Sequence, residues 1–88
     1  MDSKTNIQEL KDIVRKFCED RDWDKFHSPK ELAIGIITES SELLEQFRFK
    51  SEKEIEDMFK DLKKREKVNE EVADVFYFLL RLSQKYNI

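Results

Sequence analysis

Apolar residues recur at three- and four-residue steps along nearly the whole chain, a period that belongs to helices and not to strands. Ile7, Leu10, Val14, Phe17 and Cys18 share one face of a first helix predicted from about Thr5 to about Asp20. A polar loop, Arg21 to His27, carries Trp23 and Phe26. Ser28, Pro29 and Glu31 then make a helix start: a capping hydroxyl, a proline at the first helical position and a glutamate at capping-box spacing. The second helix is predicted to run through Leu32, Ile36, Leu43 and Phe47. Gly35 within it weakens the helix, which implies close approach of another helix there. Ser51 and Glu54 repeat the capping-box spacing, so a third helix begins near Glu52 and carries Ile55, Met58, Phe59 and Leu62.

With one glycine and one proline in 88 residues, few turns are available and long helices are favoured. The predicted fold class is all-α, as one domain over residues 1–88. Glu52 to Lys85 as one helix would be about 50 Å long, too long for a domain of this size. A bend or break is therefore expected between about Lys60 and Lys67. The last helix has Val72, Ala73, Val75, Phe76, Tyr77, Phe78, Leu79, Leu80 and Leu82 on nearly all sides. A helix apolar all round is buried all round, and 88 residues can hardly surround one. The expectation is that it packs against a second subunit.

Charge and composition narrow the function classes. The formal net charge is -3, which points neither to a nucleic-acid binder nor to a membrane-surface protein. The basic residues Lys60, Lys63, Lys64, Arg65 and Lys67 alternate with Asp61 and Glu66 and read as an exposed face. The longest wholly apolar run, Val75 to Leu80, is far short of a membrane span. Met1 to Leu10 lacks the apolar core of a signal peptide, so a cytoplasmic location is expected. Cys18 is the one cysteine and reads as a small buried hydrophobe.

Four acids sit where a plain core should have none. Glu39 and Glu42 share a face of the second helix and interrupt its apolar stretch. Glu71 and Asp74 do the same on the last helix. If the two helices pack antiparallel, four carboxylates meet, and raised pKa values, basic partners or a metal must relieve their repulsion. Hard oxygen ligands favour Mg²⁺, Mn²⁺ or Ca²⁺ over zinc, and Mg²⁺ commonly joins protein carboxylates to substrate phosphates. In a chain with 20 acids such pairs also arise by chance on solvated faces. Their position within apolar segments favours a site.

These residues resemble a known pattern. Glu39-Ser40-Ser41-Glu42, the 28 residues 43–70, then Glu71-Val72-Ala73-Asp74 match the ExxE…ExxD signature of the MazG-like all-α nucleoside triphosphate pyrophosphohydrolases. The stretch from Asp22-Trp23 through His27-Ser28-Pro29-Lys30, with Phe49-Lys50 further on, is most similar to their dCTP pyrophosphatase-like branch. The likeness covers about residues 7–86. It implies a helical subunit that forms a four-helix-bundle core by oligomerisation, as a dimer or tetramer. It also implies Mg²⁺-dependent conversion of a (d)NTP and water to (d)NMP and pyrophosphate, in nucleotide-pool housecleaning. By match to the motif, Glu39, Glu42, Glu71 and Asp74 would be the metal-binding and catalytic residues, with Mg²⁺ as the ion and Mn²⁺ as a substitute. Trp23, Phe49 and Phe78 match base-contacting places. His27 is a candidate to bond a sugar or phosphate, and Lys30, Arg48 and Lys50 are candidates for the triphosphate tail, of which Lys50 alone stands at a family-matched step.

The chain departs from the pattern in having Ser41 where many members have glycine, Phe49 where close relatives have tryptophan and Phe78 where they have tyrosine. It ends at Ile88, where longer members continue. These differences bear on base selectivity more than on the acidic motif. The rival reading is a non-enzymatic helical dimerisation or interaction protein, which accounts for the apolar last helix but not for Glu71 and Asp74.

Overall fold

The computed structural model describes residues 2–88, and its regular structure is entirely helical. After a 3-10 turn at Asp2–Lys4 come α1 (Ile7–Asp20), a second 3-10 turn (Asp24–Phe26), α2 (Pro29–Glu45), α3 (Glu52–Met58) and α4 (Leu62–Lys85). Helix starts are set by side chains that satisfy free backbone N–H groups. Asn6 accepts from the Glu9 N–H, so α1 starts two residues later than Thr5. Ser28 accepts from the Glu31 N–H ahead of Pro29. Ser51 and Glu54 form the full reciprocal box at α3.

The break before α4 falls at Phe59–Asp61, earlier than most of the expected Lys60–Lys67 window, because Asp61 caps α4 by accepting from the Lys63 and Lys64 N–H groups. Lys63 to Lys67 are helical. Likewise α2 ends at Glu45, short of Phe47. The chain then turns through Phe49, whose φ of 63° lies in the left-handed region that bulky residues avoid. Phe47 stacks on Phe59 at 6.2 Å, which ties the end of α2 to the α3–α4 corner.

α4 is the spine, and α1 and α2 both pack on it. Register shows both pairings to be antiparallel. On α1, Cys18 Sγ meets Tyr77 Oη at 3.1 Å while Lys11 donates to the Ile88 carbonyl. On α2, Gly35 lies under Phe78 while Glu39 and Glu42 lie by Glu71. A Cβ at position 35 would sit 2.5 Å from the Phe78 ring, so the glycine is where α4 comes closest.

The core is thin. Val14, Cys18, Leu32, Met58, Val68 and Leu80 are its buried apolar residues. Ile7 and Phe17, expected on the covered face of α1, stay 55% and 39% exposed. On α4, Val72, Phe76 and Leu79 are 44–50% exposed and share one face. The radius of gyration is 15.3 Å, against about 12 Å for a compact domain of this length.

Candidate active site

The antiparallel α2–α4 packing brings Glu39, Glu42 and Glu71 together, with one carboxylate oxygen from each lying within 4.8 Å of the others. Glu71 is 4% exposed, and among the described charged residues only Arg81 is more buried. Its Oε1 lies 3.2 Å from Lys67 Nζ, one turn earlier on α4. Its Oε2 and Glu39 Oε2 are buried with no hydrogen-bond partner. A buried carboxylate oxygen left unpaired is costly. Burial pushes the Glu39 carboxyl upward first, then a hydrogen bond with Glu42 and the charges of Glu42, Asp74 and Glu71. The hydrogen bond to Glu71 in turn raises Lys67.

Asp74 stands one turn beyond Glu71 on the same helix. It is exposed and does not belong to the close group, although its charge acts on Glu39. Three of the four predicted acids therefore converge. Asp74 instead lines a neighbouring cavity of about 500 Å³ between α1 and α4, with Ile13, Val14, Phe17, Trp23, Ala73 and Tyr77. Cavities of this size suit small-molecule ligands, and apolar walls with a few polar groups are the usual construction. An acidic cluster and an aromatic groove thus meet along the Glu71–Asp74 turn of α4.

The other predicted residues are dispersed. Trp23 lies on the groove, edge-on to Phe17 at 5.5 Å. His27 is already engaged, because its Nδ1 accepts a 2.9 Å hydrogen bond from Arg81 Nε. Burial, then the charges of Arg81 and Lys85, hold its pKa below the ordinary histidine value, so it is neutral at pH 7. Phe78 covers Gly35 and meets Tyr77 edge-on, which makes it a packing residue in the single chain. Lys30 and Lys50 are exposed. Phe49 is 91% exposed, with the Arg48 guanidinium 4.7 Å from its ring centre.

Two residues escaped sequence reading. Lys67 faces Glu71 through an i,i+4 step that the charge run conceals. Arg81 is 1% exposed, and the one available signal was a lone cation within Leu79–Leu82.

Antiparallel helices that enclose buried carboxylates beside an aromatic groove define a class: an all-α protein with an acidic centre able to hold a hard cation. No family model matches the chain. Individual relatives do. A crystal structure of a pyrophosphatase from Archaeoglobus fulgidus DSM 4304 superposes with a TM-score of 0.84 at 40% identity, over 93% of this chain and 75% of that one. Rat dCTP pyrophosphatase 1 is 29% identical over 82 residues, which are 93% of this chain and 48% of the relative. The human protein of the same name is 27% identical over 82 residues, again 48% of its length. The chain belongs to the MazG-like all-α pyrophosphohydrolases and is similar in sequence to their dCTP pyrophosphatases. It spans about half the length of the curated relatives it matches.

Proposed function

We propose that the protein hydrolyses a nucleoside triphosphate to the monophosphate and pyrophosphate with Mg²⁺ as cofactor. The observation that carries this reading is the convergence of Glu39, Glu42 and Glu71 with two buried carboxylate oxygens left without partners. Oxygen-only donors of this kind fit a hard divalent cation. Glu39, Glu42 and Glu71 would hold it, with Asp74 contributing from the next turn. A cation bound there supplies charge neutralisation for the phosphates and lowers the pKa of water.

The chain's own residues supply the rest. Burial and its acidic neighbours raise the Glu39 carboxyl above the ordinary glutamate value, and it is the first candidate to accept a proton from the attacking water. Attack at the α-phosphorus releases pyrophosphate. Lys67, paired with Glu71, would be free to meet the phosphates if a cation were held by that carboxylate. The groove beside Asp74 is suited to the nucleoside, whose flat base can lie against Trp23.

Association is part of the proposal. The open face of Val72, Phe76 and Leu79 and the large radius of gyration support a homo-oligomer with a four-helix core, as a dimer or tetramer. Phe49 supports it too. Trp23 precedes α2 and Phe49 follows it, and 17 helical residues put about 25 Å between the two ends. A single base touching both would need Phe49 from a second copy. Among the described residues no helix is long and apolar enough to cross a membrane. The role proposed is nucleotide-pool housecleaning in the cytoplasm.

The test is a panel of NTPs and dNTPs incubated with the protein and Mg²⁺, with products resolved by anion exchange. The expected result is monophosphate plus pyrophosphate, lost on chelation, with the base preference visible in the same run. Diphosphate plus orthophosphate would overturn the cleavage position. Absence of turnover across the panel, with no Mg²⁺-dependent rise in melting temperature, would favour the interaction-protein reading.

A further inference from the structure

Arg81 lies outside both the acidic cluster and the groove, yet it is almost completely buried, at 1% exposure. Each of its three nitrogens has a partner. Nε donates to His27 Nδ1 at 2.9 Å, Nη1 to Gln84 Oε1 at 2.6 Å, and Nη2 to Asp24 Oδ1. One turn on, Lys85 Nζ donates to the carbonyls of Asp24 and His27 at 2.5 and 2.7 Å, and Tyr86 Oη donates to the His27 carbonyl. The C-terminal end of α4 thus grips one short segment, Asp24 to His27, with five polar bonds besides the arginine's own bond to Gln84.

That segment has no apolar anchor. None of Asp24–Phe26 is buried, and Phe26 is 60% exposed. Its position therefore depends on the polar grip. Trp23 is the residue immediately before it; its backbone N–H donates to the Cys18 carbonyl of α1 at 3.0 Å, and its carbonyl accepts from the Phe26 N–H at 2.9 Å. The indole is braced edge-on between Phe17 and the His27 ring, at 5.5 and 6.0 Å between centres. Only one of these two braces belongs to α1. The other, His27, is oriented by the arginine.

Burying a guanidinium is costly, and its carboxylate partner Asp24 is half-exposed, so the pair is a poor device for stability alone. A planar fork that fixes several acceptors at once is a good device for geometry.

We propose that Arg81 is a positioning residue, which locks the Asp24–His27 turn so that His27 holds the Trp23 indole at the wall of the nucleoside groove. The proposal rests on the reading of Trp23 as the base contact. In it, Arg81 sets how tightly nucleotide binds, not how fast the bond is cut.

Trp23 is the one tryptophan of the chain, so indole emission reports the surroundings of this one residue. The experiment compares wild type, Arg81→Met, Arg81→Lys and Asp24→Asn for indole emission, iodide quenching, and KM and kcat on the best NTP of the panel. Arg81→Met is expected to red-shift the emission, expose the indole to iodide and raise KM about tenfold or more. Its kcat and Mg²⁺ half-saturation should stay within about twofold. Arg81→Lys should restore part of KM, and Asp24→Asn should move every reading the same way by less. If Arg81→Met does not fold by circular dichroism, Asp24→Asn decides the matter.

Unchanged emission and unchanged KM would overturn the proposal. So would a fall in kcat with KM intact, or a lowered melting temperature as the sole change, since either would make Arg81 merely structural. The reading beneath it fails in a different way, through a wild type that turns over no nucleotide while the indole still loosens in Arg81→Met.

Discussion

Glu71 is the residue on which most of the account depends. Its carboxylate is buried against two others and has one partner, Lys67, whose side chain is 55% exposed. An exposed lysine compensates a buried charge weakly. Glu71→Gln removes one of the repelling charges, so in chelator it should melt no lower than wild type. Wild type should gain several degrees on adding Mg²⁺, because a ligand at a hundred times its Kd stabilises by about 2.7 kcal/mol. The variant should gain little. Thermal melts with and without Mg²⁺ check both statements.

The Asp24–His27 turn gives a pH signature. Asp24 is held below its ordinary 3.8 chiefly by the hydrogen bond from Arg81, and His27 below its ordinary 6.5 by burial, then by Arg81 and Lys85. Both values are depressed in the folded state, so both contributions are present above the unfolded values and lost as pH falls. The histidine contribution fades below about 6.5, and the aspartate one only below about 3.8. A pH titration of Trp23 emission should show the turn loosening at the first step, before the loss of helical circular dichroism.

At this scale Glu39, Glu42 and Glu71 were legible because acids at three-residue spacing interrupt apolar runs. That Asp74 stands apart was not legible, because it depends on the rotation of α4 against α2. Arg81 was not legible either, because spacing cannot tell a buried cation from an exposed one.

Among the elements, Gly35 has the sharpest consequence. In isolation Gly35→Ala would favour helix by up to about 1 kcal/mol. Here the new methyl would overlap the Phe78 ring, with separations of 2.5 to 2.8 Å, and forced repacking of this kind costs about 1–3 kcal/mol. The expected result is a variant less stable than wild type by about 1–2 kcal/mol, read by urea unfolding. Equal or greater stability would show that α4 can draw back.

The close approach at Gly35 was readable because a glycine inside a helix needs a reason. The corner before α4 was only roughly readable. Fixing it requires recognising Asp61 as a cap among many charged residues, and the Phe47–Phe59 stack that braces it joins residues from different helices. The left-handed turn at Phe49 carried no signal, since phenylalanine is an unusual occupant of that conformation.

Viewed whole, the chain leaves Val72, Phe76 and Leu79 open on its central helix, with Ile37 and Leu44 open on α2. Leaving such side chains about half exposed forgoes roughly 1 kcal/mol each, a large sum for a domain with a thin core. The all-round apolar character of α4 already pointed to this, and the second copy proposed above would cover it. Phe76→Lys puts a charge into that interface and should shift sedimentation toward monomer at micromolar concentration. An unchanged sedimentation profile would remove the face from the interface.

The central claim is that Glu39, Glu42 and Glu71 form the centre at which a nucleoside triphosphate is cut. Pyrophosphate release by wild type and by Glu71→Gln, side by side with saturating Mg²⁺ and the preferred NTP, tests it most directly. Losing one ligand of a charge-neutralising ion removes several kcal/mol of transition-state stabilisation, a rate loss on the order of a thousandfold. The account predicts that loss with sedimentation and circular dichroism unchanged. Pyrophosphate release from Glu71→Gln at the wild-type rate would contradict it.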